Sequence, residues 1–524
     1  MSQMLKSSGG IGAATLSSRV LGLVREQVYT AFMGAGTVYG AFIFAYMVPN
    51  LFRRLLGEGA LTAAFIPVFK AREKNEGEAS MWRAANAVLS GLVVVSGALT
   101  LLVMGGVSLL LLSGSWKPET RLMLHLLRLM FPYMILACVG AVFIGMLNAR
   151  GHFFIPALGP AILNVVMIAS VVLLAPHMGK KLETQIFALA IGVLVAGVAQ
   201  AVFQMPLLRS EGFRFRWVPP WRDPTVREVV IKMVPGILGV SAYQINVMLT
   251  QSLAWGDNAR VVAQFAVATR LMELPQGVFG LSLATFLLPT LAGLAVEKNF
   301  TQFRATLRHG VGHLIFVNLL ASVLLLTLAE PMVRLLFERG KFNAGATQQV
   351  SYALVCLVPG LISFSLVNIY ARAFYAVSDI KTPMRISIFC LAVNLLFTAI
   401  FLFGLHLGPG ALGLANSLSA ACNLGLLIFA LRKKLRTLEM AESISQFPRL
   451  AVAGLVAALL SWNGRLLWDG HLGYTTLALK LGEVFVPMIA ATVVYFALGL
   501  WFKIPSAAEM LRLLQRQRPG PAHE

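Results

Sequence analysis

Long apolar stretches constrain this chain more than any other feature. Residues 87–112 read AVLSGLVVVSGALTLLVMGGVSLLLL, and residues 313–329 read HLIFVNLLASVLLLTLA. About 20 apolar residues in a helix match the hydrocarbon thickness of a bilayer. Inside lipid every backbone polar group must be bonded within its own element or a closed sheet, so such blocks form helices. A β-barrel would instead show short segments of alternating hydrophobicity. Charged residues are 12% of the 524, and mean hydropathy is +0.77. A soluble domain carries about 25% charged residues. The expectation is an all-α polytopic membrane protein.

About fourteen spans can be laid out, centred near residues 22, 45–65, 98, 135, 167, 196, 242, 278, 320, 360, 394, 420, 458 and 490. The net charge of +21 raises the question of nucleic acid, but its placement argues against that partner. With both termini on one side, roughly 27 Lys/Arg fall there and roughly 10 on the other side, which the positive-inside rule makes cytoplasmic and external respectively. The excess is thus topological, and leaves Arg19, Arg25, Arg53, Arg54, Arg128 and Arg270 within the spans. The first thirty residues lack a signal-peptide pattern and read as a retained first helix. Cys138, Cys356, Cys390 and Cys422 lie in apolar spans without CxxC spacing, as small core hydrophobes rather than a disulfide or metal framework.

Two halves of the chain echo each other. Thr120, Pro132, Asn148 and Pro156 lie 227 residues before Thr347, Pro359, Tyr375 and Pro383, three of the four identical, the mark of an internal duplication. An even number of spans separates the copies, so both enter the membrane from the same side as parallel repeats, with substrate sites expected between them. The layout is an N-terminal six-helix lobe (1–215), a second six-helix lobe (216–440), two extra helices (441–502) and a basic cytoplasmic tail (503–524).

The polar residues inside spans are the candidates for chemistry, because a charge at bilayer depth costs roughly 2.5–3.5 kcal/mol or more. On the first helix Thr15, Ser18, Arg19, Gly22, Arg25, Glu26 and Tyr29 share one arc, which belongs against other helices or a cavity rather than lipid. The eighth span repeats the design with Thr269, Arg270, Glu273, Gln276, Gly277 and Gly280. The second span adds Asn50, Arg53, Arg54 and Glu58. Pro49 and Pro275 should kink or break their helices, and broken helices at a repeat interface point to a transporter's binding site. Five arginines (19, 25, 53, 54, 270) outnumber three glutamates (26, 58, 273) by two charges, the complement of a diphosphate, whose oxygens suit the planar guanidinium fork. The competing reading is that each Glu pairs an Arg and the network only holds helices together. His309 and His313 have metal-ligand spacing but no acidic partner in sequence, and Asp379 is a weak candidate for a cation. No Walker A motif or nucleophile signature is present. A transporter without cofactor, driven by the membrane potential or an ion gradient, is the expectation.

The segments SSRVLGLVRE (17–26), GAG (34–36), VPNLFRRLLGEGALTAAFIPVF (48–69), TRLMELPQGVFGLSLATFLLPTL (269–291), FERGKF (337–342) and SDIKTP (378–383) resemble the MurJ (MviN) lipid II flippases of the multidrug/oligosaccharidyl-lipid/polysaccharide exporter superfamily. The resemblance implies two six-helix lobes plus two helices. It further implies movement of undecaprenyl-diphosphate-linked disaccharide-pentapeptide to the outer leaflet of the bacterial inner membrane by alternating access, for peptidoglycan synthesis, cell-wall biogenesis and cell shape. The partners implied are lipid II and bilayer lipids, with the chain acting as a monomer and peptidoglycan-synthesis proteins as candidate companions. Arg19, Arg25 and Arg270 match the family's cavity arginines, Arg53, Arg54 and Glu58 its second-helix cluster, and Arg449 the arginine at the mouth of a lipid-tail groove. The sequence departs from the family at two acids: Gly40 stands in the GAGxxxDAF pattern where the family has Asp, and Thr269 precedes Arg270 where ADR is common. With Tyr375 and Leu395 as poor ligands beside Asp379, sodium coupling is not implied. A flippase for another polyprenyl-diphosphate-linked glycan is the alternative. A drug/cation antiporter would need an acidic cavity, and a lipid-linked sugar transferase an acid/base or metal pair.

Overall fold

The structure, a computed structural model, describes residues 2–57, 60–277, 282–437 and 441–516. Every regular element among them is helical, as lipid demands of non-barrel chains. Cα proximity divides the chain into two compact units: Met1–Ala263 with Arg339–Phe342, and Gln264–Glu338 with Asn343–Glu524.

The first unit holds α1 (Ser2–Met33), α2 (Thr37–Phe52), α3 (Ala60–Glu76), α4 (Glu78–Ser113), α5 (Pro118–Met130), α6 (Tyr133–Ala149), α7 (Phe154–Leu174), α8 (Leu182–Ser210), α9 (Pro224–Asp257) and the start of α10 (Ala259–Pro275). Contact grouping therefore keeps α9 with the first unit, where it packs on α3 and α4, whereas the repeat count opens the second lobe with it. The two divisions measure different things. Phe65, Phe69, Val142, Met146 and Leu208 centre the core formed by α3, α4, α6, α8 and α9.

The second unit continues through α11 (Ser282–Val296), α12 (Phe300–Thr327), α13 (Ala329–Phe337), α14 (Ala344–Leu357), α15 (Leu361–Ala376), α16 (Lys381–Ala399), α17 (Pro409–Leu435), α18 (Ala441–His471), α19 (Leu477–Trp501) and α20 (Pro505–Arg516). One core joins α11, α12, α15 and α17; a second joins α12 to α18, α19 and α20 around Phe316 and Tyr495. The Tyr495 hydroxyl donates to the Phe316 carbonyl at 2.9 Å. α20 is a short helix in the tail, seated by buried Ala507 behind Ile504.

The prolines punctuate both halves alike. α5 gives way to α6 at Phe131–Pro132, and α14 to α15 through a 3₁₀ turn at Val358–Gly360 that contains Pro359. Pro49 lies in the last turn of α2, followed by a wide π-turn at Arg53–Gly57; Pro275 ends α10, with π-type turns at residues 276–277. Proline removes an N–H and crowds the preceding turn, and π-turns absorb the resulting mismatch. Among the described residues, ten helical segments are long and apolar enough to cross a membrane. The other four expected spans are α1, α2–α3, α9 and α10–α11, and three of these carry the charges singled out above.

One buried charge network was not anticipated. Arg334 on α13 donates to Glu483 on α19 (2.5 Å) and to Glu330 (2.8 Å), and stacks 3.8 Å from the Tyr474 ring. Arg465 on α18 reaches Glu330 at 2.6 Å and Asp469 at 3.5 Å. Glu483 is fully buried and Arg334 nearly so. The cluster ties α13 to both of the last two helices. Removing one member of a buried pair strands the other, at a cost of roughly 3–5 kcal/mol, whereas an apolar replacement of both is often tolerated. Arg334→Ala should therefore lower the thermal midpoint in detergent markedly, and Arg334→Met with Glu483→Leu should recover most of it. A single variant as stable as wild type would show that the network does not hold these helices.

Candidate functional site

The polar arc of α1 divides into a buried and an open part. α1 packs on α7, where Asn164 lies beside Gly22. Asn164 donates to the Ser18 carbonyl at 3.2 Å and accepts from Arg25 Nη1 at 3.0 Å. Arg25 also meets Met167 Sδ at 4.0 Å and lies 5.9 Å from the Tyr29 ring centroid. Its Nε is buried and without a hydrogen-bond partner. Arg19, six residues earlier, is exposed and forms no ion pair among the described residues.

Glu26 points elsewhere. It is buried, and its Oε1 accepts the Tyr39 hydroxyl at 2.6 Å, while its Oε2 stays 3.5 Å from Arg25. Tyr29, Tyr39 and Phe42 close around it edge-on and stacked. A carboxylate already engaged in this way lowers the net charge beside Arg25 but presents no free oxygen to a ligand. Arg25 is thus held in place by a neutral amide and only loosely balanced by its neighbour, an arrangement suited to receiving an anion.

The second-helix group sits on the π-turn. Arg53 donates Nε–H to Asn50 at 2.9 Å, and Arg54 reaches Gln244 of α9 at 3.4 Å. Glu58 lies outside the described residues, as does Gly280. In the second unit Arg270 donates to Glu273 at 2.8 Å, both being about half exposed. Thr269 spends its hydroxyl on the Phe265 carbonyl, 2.8 Å away. Arg449 is exposed at the start of α18. Asn164, Tyr39 and Gln244 were missed in the sequence because neutral polar residues in apolar helices carry no charge signal.

Asp379 is a helix-boundary ion-pair member. Its Oδ2 meets Lys434 Nζ at 2.6 Å and the Thr382 hydroxyl at 2.9 Å, and its Oδ1 caps the Thr382 N–H at 3.0 Å. The Lys434 hydrogen bond above all, with those of Thr382, brings its pKa down to about 2. His313 pairs with Glu509 of α20 at 2.6 Å, so an acidic partner absent nearby in sequence is supplied by the fold. Among the described residues no cluster of three or more His, Cys, Asp or Glu could hold a metal.

The absent acid at position 40 has a steric explanation. A Cβ built on Gly40 would lie 2.1 Å from the Ala259 carbonyl oxygen, at the start of α10. Nearby, Gly340 at φ +59° brings residues 339–342 onto the end of α1, where the Lys341 N–H donates to the Ala31 carbonyl at 2.8 Å. This places part of the FERGKF segment against the first unit's opening turn.

The family described as "Lipid II flippase MurJ" matches residues 29–481. A probable lipid II flippase MurJ of Vibrio cholerae is 34% identical over 480 residues, covering 89% of each chain. The lipid II flippase MurJ of Burkholderia cenocepacia is 32% identical over 462 residues, covering 86% of this chain and 88% of that one. Among solved structures, a lipid II flippase MurJ in an inward closed conformation superposes with TM-score 0.74 at 21% identity, over 94% of this chain and 98% of that one. An inward-facing MATE-family transporter of the MOP superfamily superposes with TM-score 0.67 at 16% identity, over 81% of this chain and 96% of that one.

Two outcomes are expected from the geometry. Gly40→Asp and Gly40→Ala should each lower thermal stability, overpacking of this kind costing about 1–3 kcal/mol; unchanged midpoints would mean α2 and the start of α10 are looser than they stand here. Asp379, whose pKa is lowered from 3.8, contributes stability that is present above its unfolded value and lost as pH falls through the folded one. Unfolding followed between about pH 4 and pH 2 should show this loss in wild type and not in Asp379→Asn.

Proposed function

Because the chain belongs to the MurJ family of lipid II flippases, we infer that it carries lipid II across the bacterial inner membrane. It is a multi-pass transporter rather than an enzyme, and it serves peptidoglycan synthesis. The reading of its binding chemistry goes further. Arg19, Arg25 and Arg270 hold the diphosphate, the lipid moves outward by alternating access with Pro49 and Pro275 at the bending points, and both termini face the cytoplasm. The observation that carries the diphosphate reading is Arg25: a mostly buried guanidinium oriented by Asn164, with a buried Nε lacking a partner and its neighbouring Glu26 turned to Tyr39. A guanidinium placed only to stabilise the helix pair would be expected to meet a carboxylate squarely, as Arg334 does.

The test is complementation of a depleted host with lipid II measured in each leaflet. Arg25→Ala should slow flipping by about tenfold or more, the scale of one lost hydrogen bond to a charged group. Arg25→Lys should recover it only in part, since charge remains but the planar fork is lost. Asn164→Ala should weaken transport less than Arg25→Ala, because the charge remains and only its orienting hydrogen bond is lost. Normal transport by Arg25→Ala, Arg19→Ala and Arg270→Ala alike would overturn the diphosphate assignment, and unchanged outer-leaflet lipid II on depletion would overturn the substrate.

A further inference from the structure

The linker between α8 and α9 reads FRFRWVPPWR over residues 213–222, and the transport reading makes no use of it. Its backbone is fastened along α4. Phe213 is buried against Trp82 and Phe143, with ring centroids 5.6 and 6.0 Å away. Asn86 donates to the Arg214 carbonyl at 3.0 Å and accepts the Arg216 N–H at 3.1 Å. Ser90 accepts the Val218 N–H at 3.3 Å, and buried Pro220 sits over Gly91. The fastening is internal, so the outward side chains are left without partners of their own. Phe215, Trp217 and Trp221 are exposed by 55%, 52% and 71%. Arg214, Arg216 and Arg222 are exposed and form no ion pair among the described residues. The nearby acids are engaged elsewhere: Glu211 with Arg150 and His152, Asp223 with Arg83, and Glu228 with Lys232.

The level of this segment on α4 identifies what it faces. Arg83 is the last charge on α4, and residues 84–116 contain none. The contacts at Trp82, Asn86, Ser90 and Gly91 therefore carry the linker across the point where α4 passes from polar surroundings into hydrocarbon. Further along, Val95, Leu101 and Leu102 of α4 are exposed, as lipid-facing residues are. Tryptophan favours this boundary because its ring is apolar and its N–H polar. Arginines at the same depth meet the phosphates of anionic lipids. We propose that residues 213–222 form an interfacial site for anionic phospholipid headgroups, with Trp217 and Trp221 inserted at the headgroup level and Arg214, Arg216 and Arg222 binding the phosphates. An acidic soluble protein would approach from water and would not reach aromatic side chains set at the edge of the hydrocarbon.

The experiment uses the full chain in nanodiscs of phosphatidylcholine mixed with phosphatidylglycerol, one lipid at a time carrying bromine on its acyl chains near the glycerol. Bromine quenches tryptophan on contact, and Trp217→Phe with Trp221→Phe isolates the signal of these two residues by difference. Each arginine near an anionic surface strengthens attraction by about fivefold. Brominated phosphatidylglycerol should therefore quench this component several-fold more than brominated phosphatidylcholine at equal density. The preference should vanish in Arg214→Gln, Arg216→Gln, Arg222→Gln protein and fade in high salt. Equal quenching by the two lipids would overturn the headgroup site. Quenching by aqueous acrylamide with none from either bromolipid would place the segment against water and overturn the proposal in favour of a soluble partner. Neither result bears on lipid II transport, which is measured separately.

Discussion

A charge withdrawn from water must meet an opposite charge or a strong hydrogen-bond partner, and much of this molecule's polar design follows from how that requirement is met. Arg334 satisfies it fully, with two carboxylates and an aromatic face. Asp379 satisfies it at a helix boundary, with one lysine and a threonine. Arg25 satisfies it incompletely, through an amide and a carboxylate held 3.5 Å away. The first two arrangements close on themselves and explain cohesion. The third leaves an electrostatic deficit, and a site that binds an anion transiently needs one: a guanidinium locked in a bidentate pair would have to break that pair to take a diphosphate.

The backbone obeys the same constraint. An interrupted helix frees N–H and C=O groups that lipid cannot bond, so interruptions persist only where protein or a wet cavity receives them. The break after Pro49 is followed by a π-turn whose arginines bond Asn50 and Gln244. After Pro275 the described chain of the second unit also passes into π-type turns, at residues 276–277. By contrast, the breaks at Pro132 and Pro359 are short and tightly closed. Wide turns bend more readily than closed ones, which is why Pro49 and Pro275 suit the bending role proposed for them.

Features with a period or a composition were legible in the sequence. Apolar blocks announced the helices, and Pro49 and Pro275 the helix breaks that follow them. The arc on α1 was also readable, because 100° per residue is fixed by helix geometry. What was not readable depended on which distant residue arrives opposite a given side chain. Arg334 lies on a nine-residue helix between spans, where an arginine passes for a solvated charge, and its partner Glu483 is 149 positions away. Glu26 looked like a cavity acid until Tyr39 was found over it. Asn164 carried no charge to draw attention, yet it orients the central guanidinium.

The two missing acids show how far substitution can go without loss of this architecture. An aspartate at position 40 would collide with the Ala259 carbonyl, so here the helices meet backbone to backbone through Gly40. At position 269 the threonine hydroxyl turns to its own helix at Phe265 and leaves Arg270 to Glu273. Close packing thus takes the place of one carboxylate, and a local hydrogen bond the place of the other. Neither position takes part in the hydrogen bonds that Arg25, Asn164 and Tyr39 make. On the binding reading proposed above, charge complementarity to the substrate comes from the arginines, without help from acids at these two positions.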